Sequence, residues 1–282
     1  MKYLIVNADD YGLDECINQA VVLAYRQGIV TSTTILANGD AFCSGIKSLR
    51  ENVGLGVGVH LTLVNGNPLS RPEEIPTLMN GEGKFFNSYQ EFIPRFLSGK
   101  IKLKEIRTEW AEQISRVREQ GIPIDHLDSH QHLHVFPGIN QVTAELAGEF
   151  GIGRIRLPWE KLIFYGGTVP APGRLLARNA LSCVSGLSKS CFSKQRLLMP
   201  EHFYGMLWGG HLNQAKLKTI LRHLPEGASE IMTHPGLSSE TLERKFPWGY
   251  QWEAELAALT SMEVRAMIDQ QKTKLIPYEA LE

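Results

Sequence analysis

Two adjacent carboxylates, Asp9 and Asp10, close the first apolar run in Leu4-Ile5-Val6-Asn7-Ala8-Asp9-Asp10-Tyr11-Gly12. A short Leu/Ile/Val segment reads as a buried strand, and its C-terminal end is where parallel α/β barrels carry their chemistry. Neighbouring side chains on an extended segment point to different sides, so one carboxylate can hold a metal while the other faces substrate or a ligand side chain. The pair would serve as well in a solvated Asp-Asp-Tyr-Gly turn, with Asp14 nearby as a helix cap. Histidines tip the balance towards chemistry, because they too fall at predicted strand ends. His60 lies in Gly-Val-His-Leu, His130, His132 and His134 in Asp128-Ser129-His130-Gln131-His132-Leu133-His134, and His234 in Thr-His-Pro-Gly. In extended conformation Asp128, His130 and His132 would share one face, whereas a turn would aim only one or two of them inward, so not every histidine is a ligand. One carboxylate and two imidazoles with open positions suit a catalytic divalent ion such as Zn²⁺, Mg²⁺ or Mn²⁺. Such an ion lowers the pKa of water and polarises a carbonyl, while a second carboxylate takes the proton.

The elements that must position these residues alternate. After the first strand, Ile17, Ala20, Val21 and Ala24 recur at helical spacing from Asp14 to Gln27, with Gly28 as the stop. Strands follow at 31–37 and 55–63, separated by a helix from Gly39-Asp40 to Glu51. Residues 64–100, rich in Pro, Gly, Asn and aromatics, exceed a simple connection and read as a functional loop or lid. A helix over 105–120 buries Ile106, Trp110, Ile114 and Val117 and leads to a strand at 124–128. Further helices are expected at 138–150 and 213–223, and strands at 154–158, 230–233 and 274–278. Thr260-x-x-Glu263 has the form of a capping box. The fold expected is α/β, a distorted, TIM-like (β/α) barrel of seven or eight mostly parallel strands. It forms one domain over 1–282 with insertions at 64–104 and 160–210. The competing open doubly wound sheet lacks a GxGxxG after strand one.

Composition restricts the function classes. The 282 residues carry 43% hydrophobic and 21% charged residues with a net charge of -1, values that argue against bulk nucleic-acid binding. Cys16, Cys43, Cys183 and Cys191 form no CxxC pair, so no zinc knuckle or redox dithiol is indicated. No signal-peptide pattern or membrane-spanning run is evident, and a cytoplasmic location is expected.

The chain resembles the YdjC-like carbohydrate deacetylase family. The resemblance is carried by Ile5 to Leu13, Gly28-Ile29-Val30-Thr31-Ser32-Thr33-Thr34, Gly58-Val59-His60, His126-Leu127-Asp128-Ser129-His130 and His234-Pro235-Gly236. It implies a distorted barrel that removes acetyl groups from N-acetylated amino sugars with a divalent metal ion, Mg²⁺ or Zn²⁺. By motif position it assigns metal ligation to Asp10, His60 and His130, the general base to Asp9 and the general acid to His234. Arg156, in Arg-Ile-Arg-Leu-Pro-Trp-Glu160, matches a block in which an arginine orients the catalytic carboxylate. Its plain alternative is a strand residue in a surface ion pair. Gln131 replaces a histidine common in relatives, which leaves His132 open between ligand and outer support, with Asp128 in a substrate-binding or supporting position.

Leu198 to Gly205 and Leu221 to Pro235 further resemble the hopanoid biosynthesis-associated branch, for which an N-acetylglucosaminyl lipid is the implied substrate. Between Glu160 and Glu201 the chain has six cations and no acid, interleaved with Leu175, Leu176, Leu181, Val184, Leu187 and Phe192. Such a segment suits peripheral contact with an anionic inner-membrane surface, or else a helix packed on the barrel with a solvated basic face. Relatives also imply a homodimer, though no periodic seam marks an interface. The expected activity is release of acetate from an N-acetylglucosamine unit on a glycolipid or chitooligosaccharide. A phosphoesterase using the same metal centre and a non-catalytic glycan-binding module are the competing classes.

Overall fold

Apolar β-branched runs and amphipathic segments alternate as their periodicity requires, giving strands flanked by helices in the computed structural model, which describes residues 1–164 and 170–282. The first half contains β1 (Lys2–Tyr11), α1 (Glu15–Gln27), β2 (Ser32–Ile35), α2 (Phe42–Arg50), β3 (Gly56–Leu61), α3 (Tyr89–Leu97), α4 (Leu103–Arg118) and β4 (His126–Ser129). The second contains α5 (Ile139–Phe150), α6 (Pro172–Lys194), β5 (His202–Tyr204), α7 (Gln214–Arg222) and β6 (Gly227–Thr233). It ends with α8 (Ser239–Lys245), α9 (Trp252–Leu259), α10 (Met262–Gln270) and β7 (Lys274–Leu275). The strands run parallel in the order β4-β3-β2-β1-β6-β5, with β7 beside the start of β1. Isolated parallel bridges from Leu127 to Ile155 and from Arg154 to Leu198 carry the sheet from β4 towards β5. The result is a distorted α/β barrel of seven strands, as the alternation implies.

Period-two alternation divides each strand between two environments. On β1, Leu4, Val6 and Ala8 join the main apolar core with Ile17, Ala20, Val21 and Ala24 of α1. Ile5 faces the other way, into a small cluster with Ala228, Tyr278 and Leu281. That inner side turns polar towards the C-terminal strand ends, where Asn7, Asp9, Thr34, His60, Asp128, Arg156 and Glu230 are all buried. Glycines on β3 make room for it: a Cβ at Gly58 would lie 2.4 Å from the His126 ring. That ring cannot swing aside, being stacked on Tyr278 with 3.7 Å between centroids.

Several boundaries move for local reasons. The α1 cap is as expected, with the Asp14 side chain accepting from the Cys16 amide at 2.8 Å. At α10 the cap is Ser261 instead of Thr260, whose hydroxyl already donates to Leu256 O at 2.9 Å and closes α9. The last strand stops at Leu275, since Pro277 has no amide to continue it and Tyr278 opens a short 3-10 turn. The expected strand at 154–158 reduces to bridges at Arg154 and Ile155. Within 64–100, α4 acts as a scaffold: buried Glu109 accepts the Leu69 and Ser70 amides at 3.0 and 2.8 Å, and Glu105 accepts that of Thr77 at 2.6 Å. Part of the expected 160–210 insertion, residues 165–169, lies outside the described residues.

Gly58→Ala is expected to cost about 1–3 kcal/mol through overpacking against the trapped His126 ring. A wild-type melting temperature for this variant would show that the lumen is looser than described.

Candidate metal and acid–base site

Regular strand geometry would send Asp9 and Asp10 to opposite faces, yet both reach one site. The reason is a register shift in β1 between Ala8 and Tyr11, with Asp10 in the left-handed region at φ 65°. Aspartate tolerates that region better than most residues. Of the two conformations expected for 128–132, the turn is adopted: Gln131 and His132 have φ of 55° and 57°, and the chain turns sharply after β4. Asp128, His130 and His132 therefore diverge instead of sharing a face.

That divergence assembles the site. Asp128 accepts from or faces three groups, with Oδ1 2.7 Å from His60 Nδ1 and Oδ2 2.6 Å from Arg156 and 3.2 Å from the Thr34 hydroxyl. His130 turns onto Asp10, with Nδ1 3.0 Å from Oδ1, while its Nε2 lies 3.2 Å from Asn65 Nδ2. His60 Nε2 is 3.5 Å from the same Asp10 oxygen. One ligand atom each from Asp10, His60 and His130 lies within 4.8 Å of the others, and all three residues are buried. His60 has the posture of a metal ligand, its far nitrogen oriented by a carboxylate and its near one free for the centre. Asp9, His60 and Asp128 form a second compact group, but the Arg156 guanidinium lies against both of its carboxylates. The Asp10 group is the better cation site. Its donors, one oxygen and two nitrogens without sulfur, fit a borderline or hard divalent ion.

Arg156 is no surface residue. Its guanidinium donates to both Asp9 oxygens at 2.7 Å and contacts Glu230 at 2.8 Å, fully buried. Burial alone would raise the Asp9 carboxyl, but Arg156 outweighs it and holds the group far below the ordinary carboxylate range. Asn7 adds a bond to Asp9 Oδ1 at 2.8 Å. Each carboxylate oxygen has two acceptor directions, so Oδ2, with one bond among the described residues, keeps another, and Asp9 borders the cavity. At His60, burial lowers the imidazole pKa, yet Asp128, Asp9 and Asp10 reverse this and lift it to about 9.

The remaining histidines separate by their partners. His134 has both ring nitrogens engaged, by the Ser129 hydroxyl at 2.7 Å and Arg156 O at 3.0 Å, and burial pulls it down to about 4. It braces the turn. His132 borders the cavity with its buried Nδ1 unpaired among the described residues, kept neutral first by burial and then by Arg156 and His134. His132 joins neither of the two compact ligand groups. His234 follows β6 and shares the cavity with Asp9, His60 and His130. Its amide donates to buried Glu255 at 2.6 Å, and its ring lies 5.0 Å from Tyr250.

Four supporting groups escape a reading of motifs: Asn7, Glu230, Glu255 and Tyr250. Asn7 lies two residues before Asp9 and so on its side of the strand, and Glu230 is an acid inside an apolar strand. Both signals were present in the sequence. Glu255 and Tyr250 carry none, because tertiary packing alone brings them to His234.

A cavity of about 530 Å³ opens over these groups. Beyond the polar floor its walls are largely apolar: Ile93 of α3, Phe136, Met206, and Ala177, Leu181 and Val184 of α6.

A family model described as YdjC-like protein matches residues 3–270. A carbohydrate deacetylase of Brevibacillus brevis is 32% identical over 282 residues, covering 99% of both chains. A chitooligosaccharide deacetylase of Proteus mirabilis is 33% identical over 286 residues, covering 99% of this chain and 98% of its own. A crystal structure from Enterococcus faecalis V583, described as a cellobiose-phosphate cleavage protein, superposes with a TM-score of 0.79 at 25% identity, covering 99% of this chain and 98% of that one. With its motifs, its barrel and its full-length relatives in agreement, the chain belongs to the YdjC-like family.

Proposed function

We propose that this chain is a metal-dependent N-deacetylase that hydrolyses the acetamide of an N-acetylglucosamine unit to acetate and a free amine. The observation that carries this reading is the convergence of Asp9, His60, His130 and His234 on one cavity, with Asp10 bonded to His130 behind it. The full-length deacetylase relatives support the reaction class. Asp10, His60 and His130 would hold the divalent ion, for which zinc and magnesium both suit the donors. Such an ion supplies Lewis acidity, activating water and polarising the acetamide carbonyl.

The chain's own residues handle the protons. Asp9, ionised throughout the working pH range by its guanidinium, accepts a proton from the attacking water at its free Oδ2 direction. So acidic a carboxylate is a weak base, a deficit that water made more acidic by a bound ion would offset. His234 delivers a proton to the departing nitrogen as the carbon–nitrogen bond breaks, so that water and amide become acetate and amine. Asp128 keeps His60 in the orientation that offers Nε2 to the centre.

The apolar cavity walls extend the reading to the substrate: the sugar is carried on an apolar aglycone, an N-acetylglucosaminyl lipid of the hopanoid kind in preference to a chitooligosaccharide. A longer sugar chain would leave Ile93, Phe136, Leu181 and Val184 against hydroxyls.

Asp9→Asn is expected to lower acetate release by about 10²–10⁴-fold while metal analysis finds the ion retained. Turnover near wild type would exclude Asp9 as the base. His60→Ala or His130→Ala should empty the metal site, and Asp128→Asn should weaken metal affinity by about 10–100-fold. Full occupancy in either histidine variant would overturn the ligand assignment. Acetate release from an N-acetylglucosaminyl lipid in detergent should exceed that from chitooligosaccharides in kcat/KM. Equal values would remove the apolar aglycone from the reading.

A further inference from the structure

Helix α6 buries an unusually polar face. Its buried residues are Arg178, Ser182, Ser185, Ser188 and Phe192, four of them polar. The barrel satisfies those polar groups. Ser182 exchanges hydrogen bonds with the Glu160 backbone at 3.1 and 3.3 Å, and Ser188 donates to Val135 O while accepting from Asn140 at 3.1 Å. Arg178 donates to the carbonyls of Lys161 and Leu162, drawing the preceding loop against the helix. The opposite side presents Leu176, Cys183 and Leu187 at i, i+7 and i+11, with Ala180 between them where this side meets the cavity wall. Leu176 and Leu187 are 72% and 70% exposed. Ile163, in the loop held by Arg178, is 84% exposed, and Trp159 lies against the helix, 3.6 Å from where a Cβ on Gly186 would be.

An ordinary surface helix buries its leucines and solvates its serines, so this arrangement leaves apolar area without a partner. Within residues 161–200 the charges are of one sign, while exposed Glu145 shares the neighbourhood of Cys191 with Lys194, and exposed Glu201 that of His202 with Lys161 and Lys189. Lys161, Lys189, Lys194 and Arg196 are exposed, and no acid occurs from 161 to 200 in a chain whose net charge is -1. Lys194 follows Leu187 by seven residues on the same side of the helix. An apolar band edged by cations and a tryptophan matches the surface of an anionic bilayer, where acyl chains lie beneath negative headgroups. A second copy of this chain would bring the same cations face to face.

We infer that the outer face of α6, with Ile163 and Trp159, docks this protein on an anionic phospholipid membrane. The same helix lines the cavity with Ala177, Ala180, Leu181 and Val184, so docking brings the mouth of the site to the lipid surface. No helix among the described residues is long and apolar enough to cross a membrane, and the contact is therefore peripheral. Delivery of a lipid-borne sugar as the purpose of docking rests on the function proposed above, whereas the docking itself does not.

The test is sedimentation of the purified full chain with sucrose-loaded vesicles, without substrate. Phosphatidylcholine vesicles containing one-third phosphatidylglycerol, by mole fraction of about 0.3, should pull the chain down, and phosphatidylcholine alone should not. Leu176→Ser with Leu187→Ser, and separately Lys189→Glu with Lys194→Glu, should each weaken binding by about tenfold or more. Thermal melting and deacetylation of a soluble chitooligosaccharide should be unchanged, since none of these four side chains borders the cavity. Absence of vesicle binding, or binding unchanged in both variants, would overturn the inference. So would a dimer in sedimentation velocity that Leu187→Ser dissociates, which would assign the face to self-association. A failed lipid preference in the detergent assay, with vesicle binding intact, would overturn the substrate reading alone.

Discussion

Everything in the barrel lumen depends on the Arg156 guanidinium, which is fully buried and in contact with Asp9, Asp128 and Glu230. Without it three buried carboxylates would face one another, and breaking such a buried arrangement costs about 3–5 kcal/mol. Its planar fork fixes the carboxylates in position as well as in charge, which a lysine could not do. Asp128 passes that order to His60, and Tyr278 anchors the far side through Glu230 at 2.5 Å. Counting Asp10, the lumen still holds more carboxylates than fixed cations. That surplus lifts His60 despite its burial, and a divalent ion would neutralise it.

The order of elements was legible because apolar periodicity and capping residues act locally. Ile17, Ala20, Val21 and Ala24 were recognisable as one helix face, and they are buried as such. The site residues were legible as types at strand ends, but their geometry was not. No local signal shows that Asp10 takes a positive φ or that the chain turns at Gln131, since both conformations are imposed by what surrounds them. A one-residue shift at either place reverses a side chain's direction, so the sequence leaves 128–132 open between an extended run with a common face and the turn that forms. Arg156 looked equally suited to a surface ion pair, and only the folded lumen shows three carboxylates around it.

Helix α6 reverses the usual inference from periodicity. Leucines at helical spacing ordinarily mark the inward face, and the serines between them read as solvent-facing. The hydrogen-bonding needs of the neighbouring backbone decide otherwise: Val135 and Glu160 present groups that hydroxyls can satisfy and leucines cannot. Satisfying buried polar groups takes precedence, and the apolar side is left to find another environment.

The bulge at Asp10 has a consequence for how the site withstands motion. Where proton acceptor and metal-binding side chain come from separate elements, their spacing changes whenever those elements shift. On the function proposed here both come from consecutive residues, Asp9 and Asp10, joined by one planar peptide whose Cα atoms stay about 3.8 Å apart. A shift of the cavity walls would leave that separation unchanged. Asp9 and Asp10 behave as two jaws cut from one piece.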